Sequence, residues 1–111
     1  AFNLQTEGLR EPLRIAANKN IHHAARNGMI KEVRLYISEG ANPNTKDKKG
    51  NTPLHLSVRN GLQGTSQILY NSNADQFALN NNGDTPYDFA KNYEKKGNLF
   101  FINLFASKRV D

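Results

Sequence analysis

The residues best equipped for chemistry are three histidines, His22, His23 and His55, and a set of hydroxyls on Ser57, Thr65, Ser66 and Ser72. Neutral imidazoles are good zinc ligands, and a serine or threonine becomes a nucleophile when a positioned base takes its proton. A ligand set needs several convergent His, Cys or carboxylate side chains. The chain has no Cys, which removes thiolate ligands and disulfides together. The hydroxyls have no His and acid at a spacing that would build a proton relay beside them. Gly61-Leu62-Gln63-Gly64 lacks the Lys-Ser/Thr that follows a phosphate-cradling loop, and no strand precedes it. The expectation is therefore no catalytic residue, no metal ligand and no cofactor.

What the chain does repeat is a set of recognition side chains and the elements that hold them. Arg26-Asn27-Gly28 returns as Arg59-Asn60-Gly61, 33 residues on; Ile21-His22 returns as Leu54-His55, Thr52-Pro53 as Thr85-Pro86, and Gly50 as Gly83. A fixed period of this length marks a stacked array whose units bury their faces only against neighbours. Thr52 can cap a helix with its hydroxyl, and Pro53 has a preset φ and no N–H to leave orphaned, so a helix starts at Pro53. Leu54, Leu56 and Val58 are its apolar residues, and Gly61 stops it. A second helix returns alongside: in the first unit Met29, Ile30, Val33, Tyr36 and Ile37, with Leu35, recur at helical spacing. Gly40 and Pro43 end that helix, and Asp47-Lys48-Lys49-Gly50 reads as a tight turn.

Thr52-Pro53-Leu54-His55 at this period resembles the ankyrin repeat family, over about five sixths of the chain. The resemblance implies an all-α fold, an ankyrin-repeat solenoid of stacked helix-turn-helix units with projecting β-hairpin-like loops. It divides the chain into repeats over 17–49, 50–82 and 83–111, preceded by an N-terminal capping segment or linker over 1–16. In that segment Leu4, Leu9, Leu13 and Ile15 suit an amphipathic helix interrupted by Gly8 and Pro12, with Pro12 as a first helical residue. The first repeat has Lys19-Asn20 in place of Thr-Pro, which leaves Asn18 or Asn20 as its cap. In the second repeat Gly64-Thr65-Ser66 stands where the family places aliphatic residues, and a soft joint is expected there. Asn73 takes the place of Gly40. Phe77 and Leu79 stand where the first loop has Asn44 and Lys46, and they either tuck beneath the third unit, the commoner outcome, or form an exposed ridge.

The third repeat has Asp88 where the motif has His. Its Gly97 lies 36 residues beyond Gly61, which implies a three-residue insertion that lengthens the first helix through Tyr93-Glu94-Lys95-Lys96. Phe101, Ile102, Leu104 and Phe105 then fall on apolar positions, and Lys108-Arg109 suit the C-terminus of the last helix. In the family the motif histidine hydrogen-bonds backbone and Thr groups between repeats, a role that falls to His22 and His55. His23 matches the apolar Leu56 position and is expected to be partly buried at a terminal interface.

The chain has 111 residues, a net charge of +5 and a sequence pI of about 9.6, but its cations are scattered rather than run together, which does not favour nucleic acid. No apolar run approaches the roughly 18 residues of a membrane span. A cytoplasmic protein is expected, in the host cytosol if the source is an intracellular microbe. Solenoids bind partners on the concave face formed by hairpin tips and inner helices. Those positions here are Arg26, Asn27, Lys48, Lys49, Asn51, Arg59, Asn60, Asn81, Asn82 and Tyr93, and Arg and Tyr are the types that most often carry interface energy. The expected function is a non-catalytic, monomeric module that binds another protein, one with an acidic segment, with Arg59 and Lys49 near the centre. The alternative is a targeting or regulatory ankyrin module of a larger enzyme or effector, excised from its catalytic part.

Overall fold

The computed structural model describes residues 4–107, with side chains from Arg10 onward. The expectations for Lys108, Arg109 and the side chains of Leu4 and Leu9 lie outside the described residues. Among those residues there are six helices and no strand: α1 Leu4–Arg26, α2 Ile30–Ser38, α3 Pro53–Arg59, α4 Gln63–Asn71, α5 Pro86–Lys95 and α6 Phe100–Ala106. Each odd helix packs on the even helix that follows it. The odd helices form one row, α1 on α3 on α5, and the even ones another, α2 on α4 on α6. The core lies between the rows, where Ile21, Val33, Leu54, Val58, Leu69 and Phe101 are fully buried.

The capping signals work as the sequence indicates. Thr52 Oγ1 accepts the backbone N–H of His55 at 3.3 Å, and His55 Nδ1 accepts the N–H of Thr52 at 3.0 Å, a reciprocal cap with Pro53 as the first helical residue. Thr85 and Asp88 make the same exchange at the start of α5, so the carboxylate replaces the imidazole in this role. Helix α5 has ten residues against seven in α3, and Phe101, Leu104 and Phe105 are buried while Asn103 is exposed. Asn73 sits at φ 74°, the left-handed conformation that Gly40 adopts at φ 96°.

Four expectations need correction. Helix α1 does not begin at Pro12, nor after Asn18 or Asn20, but runs unbroken through Pro12 from Leu4. The same missing Thr-Pro that makes this entry irregular leaves no cap to stop the helix. Pro12 removes one backbone hydrogen bond on a stretch where residues 10–16 are all exposed and water can replace it. Asn18 instead accepts the N–H of Asn42 at 2.7 Å. Leu13 and Ile15 are exposed, so this stretch does not use them to cover the first unit. His23 is also exposed, because among the described residues no helix packs on α1 from the side opposite α3.

Phe77 and Leu79 do not tuck in; they are 60% and 56% exposed. Asp75 Oδ1 holds the N–H of Phe77 at 2.8 Å, and Lys46 Nζ donates to the carbonyl of Leu79 at 2.9 Å. The first bond fixes the turn within the loop and the second ties it to the preceding loop; the two side chains stay outside, Phe77 leaning on Tyr87 with ring centroids 5.5 Å apart.

Candidate functional site

Two of the three histidines and two of the hydroxyls are used in holding the fold. His22 Nε2 donates to the carbonyl of Thr45 at 2.8 Å, and His55 Nε2 to that of Asp84 at 2.9 Å. With Nε2 protonated, Nδ1 of His55 is left as the acceptor for Thr52, so its neighbours fix the tautomer. Burial lowers its pKa below the ordinary histidine value, helped by the charge of Lys46 and opposed by the Asp84 bond. Ser57 and Ser66 are buried with their hydroxyls 2.8 Å apart, which pairs two polar groups across α3 and α4. Among the described residues no group of three potential ligands could hold a metal ion, and no helix is long and apolar enough to cross a membrane.

The abundant Asn and Asp residues stitch one loop to the next. Asp47 Oδ1 accepts the N–H groups of Lys49 and Asn51, and 33 residues on Asn80 Oδ1 accepts those of Asn82 and Asp84. As an amide, Asn80 also donates across the stack to Asn51 Oδ1 at 3.0 Å, which a carboxylate could not do. Asn81 donates to the carbonyls of Lys49 and Lys48, from its backbone and its side chain, at 3.0 Å each. A Cβ at Gly50, where φ is 78°, would stand 2.8 Å from that backbone nitrogen, so only glycine lets the two loops approach. Asn44 completes the set, accepting the N–H of Asp75 and donating to the carbonyl of Asn73.

These bonds sort the ten residues that the sequence singles out. Asn51 is only 4% exposed and its side-chain Oδ1 accepts from Asn80. Asn81 serves the loop contact, Asn27 bonds the carbonyl of His23, and Asn60 bonds that of Arg26 at 2.9 Å. Tyr93 is half-buried, with its ring on Phe101 and its hydroxyl donating to the carbonyl of Arg59 at 2.8 Å. Arg26, Lys48, Lys49, Arg59 and Asn82 are exposed. Arg26 keeps only a loose 4.0 Å approach to Asp47.

Three adjoining depressions bring the cations together. Arg26, Lys49, Asn51, Leu56, Arg59 and Asn60 line one of about 430 Å³ between the ends of α1 and α3. Arg26 also borders a second, reached by Lys19, Lys46 and Lys48, and Arg59 borders a third, lined by Phe89, Asn92, Tyr93 and Lys96. Seven Lys and Arg line these three depressions against one acid, Asp47; a fourth depression, which shares Phe89 and Asn92 with the third, adds Lys91 and Lys95 together with Asp84 and Asp88. Lys19, Lys46, Phe89 and Lys96 are members that the repeat pattern does not announce. The signal for Lys96 is the longer α5, which carries it past Tyr93 to the rim.

A family model described as ankyrin repeats, in three copies, matches residues 21–110. Protein phosphatase 1 regulatory subunit 27 of Homo sapiens is 32% identical over 91 residues, which are 82% of this chain and 56% of that protein. Protein phosphatase 1 regulatory subunit 12A of Rattus norvegicus is 32% identical over 97 residues, 80% of this chain and 9% of its own length. A transient receptor potential cation channel subfamily A member 1 homolog of Caenorhabditis elegans is 37% identical over 78 residues, 66% and 6%. The chain spans about half the length of the human subunit 27 and less than a tenth of the other two. The Thr-Pro caps, the stacked helix pairs and the match across three copies together establish that the chain belongs to the ankyrin repeat family.

Proposed function

We propose that this chain is a non-catalytic interaction module that docks an acidic segment of another protein along the furrow, with Lys49 and Arg59 near the centre. The observation that carries the reading is the lining itself, seven cations against one acid along three joined depressions. Such an uneven lining focuses a positive potential that steers an anionic segment and fixes its register. Arg26, Lys48, Lys49 and Arg59 supply the charge, and Asn27, Asn51, Asn60, Asn81 and Tyr93 hold the elements in place. The chain acts as a monomer.

The test is fluorescence anisotropy with a labelled Glu-rich peptide against the wild type and the Lys49→Glu/Arg59→Glu double variant, with circular dichroism to show that both are folded. Saturable binding to the wild type and its loss in the variant support the reading. A labelled single-stranded oligonucleotide that binds more tightly than the peptide, with the steep salt dependence of phosphate contacts, would replace it.

A second reading is favoured by the relatives that are named as protein phosphatase 1 regulatory subunits. In it the chain is the regulatory module of a larger enzyme assembly, and the furrow meets the enzyme rather than a free segment. Co-elution with the phosphatase 1 catalytic subunit, abolished in the same double variant, distinguishes it.

A further inference from the structure

Two of the three depressions differ in chemistry and share one residue. The depression between the ends of α1 and α3 presents the guanidinium groups of Arg26 and Arg59 and the ammonium of Lys49, a donor set for a carboxylate. The next, of about 250 Å³, lies between the ends of α3 and α5, where the rings of Phe89 and Tyr93 form a shelf with Arg59 and Lys96 at its rim. Tyr93 cannot swing out of this shelf freely, because its hydroxyl donates to the Arg59 carbonyl and its ring rests on Phe101. Phe89 is braced in turn by an edge contact with His55, ring centroids 5.9 Å apart. A preset aromatic surface beside cations suits an aromatic side chain, whose faces accept both ring packing and a cation.

Resting on the docking reading above, we propose that the furrow selects a bipartite segment: a carboxylate residue seated among Arg26, Lys49 and Arg59, and an aromatic residue about three positions along it on the Phe89–Tyr93 shelf. The spacing follows from the stack. The two depressions occupy successive gaps between neighbouring helices, and packed helices stand roughly 8–10 Å apart. A polyproline II segment advances about 3.1 Å per residue with three residues per turn, so residues three apart share a face and span about 9 Å, the separation of the two subsites.

The test uses labelled peptides that carry one Glu-Glu pair in a Gly-Ser background, either alone or with a single Phe placed one, three or six residues away on either side. The three-residue spacing, in one of the two directions, is expected to bind roughly tenfold more tightly than the peptide without Phe. Asn92→Trp, which sets a bulky side chain over the shelf, is expected to remove that gain, so that the variant binds the three-residue Phe peptide no more tightly than the peptide without Phe. Equal binding of all Phe peptides, or a preference for the shortest or longest spacing, overturns the bipartite reading. Loss of all peptide binding, or binding unaffected by Lys49→Glu, instead overturns the docking reading on which it rests.

Discussion

His55 donates from Nε2 to the carbonyl of Asp84, 29 residues further along the chain, at 2.9 Å. The same ring caps its own helix through Thr52, so one buried side chain fixes the start of α3 and holds the loop that leads into α5. Replacement by alanine removes both functions and leaves the Thr52 N–H without its acceptor. His55→Ala is expected to lower stability by about 2–4 kcal/mol, measured by urea denaturation. A loss well under 1 kcal/mol would show that the two loops hold together without it.

The pH dependence follows from the same ring. Its pKa is lowered in the folded state, chiefly by burial, so the neutral form is the folded form. The stabilisation is complete above the ordinary value of 6.5 and is lost as pH falls below it toward the depressed folded value. Urea midpoints should therefore decline between about pH 7 and pH 5.5, and the decline should be shallower in His55→Gln. Identical slopes in the two proteins would assign the effect elsewhere.

Gly64 is the second residue of α4, its φ is not positive, and a Cβ there would meet only the Cδ1 of Ile30 at 3.1 Å. Ile30 is partly exposed and its terminal methyl can give way. Gly64→Ala should raise stability by about 0.5–1 kcal/mol through helix propensity, read as a higher melting temperature. A drop would mean that Ile30 is held in place.

Two phenylalanines separate ridge from core. Phe77 is exposed and touches Tyr87, whereas Phe101 is fully buried between Tyr93 and Phe100. Phe77→Ala should cost less than about 1 kcal/mol, and Phe101→Ala about 3–5 kcal/mol, enough to unfold much of so short an array. Comparable losses from both, by thermal melting, would place Phe77 in the core.

The repeat period made the helix starts at Pro53 and Pro86 legible, because Thr-Pro carries a capping mechanism in two adjacent residues. It also made Asn73 legible, since few side chains adopt a left-handed backbone. The start of α1 was not legible, because a helix without a cap has no local signal for where it begins. The outward course of Phe77 and Leu79 was hidden for a different reason. It is decided by bonds from Asp75 and Lys46 to the backbone, which leave no trace in the apolar pattern. Of the candidate site, the repeated Arg26 and Arg59 stood out by period alone. The use of Asn51 and Asn81 in joining the loops depends on bonds between segments some 30 residues apart in the chain.

Binding along the furrow between the ends of α1, α3 and α5 can be observed residue by residue. A titration of the isotope-labelled protein with a Glu-rich peptide, followed by two-dimensional NMR of backbone amides, tests it most directly. The largest shift changes are expected at Arg26, Lys49, Arg59 and Asn60. Changes confined instead to Phe77, Leu79 and Tyr87, or to the exposed turns of α1 around Leu13, would contradict it.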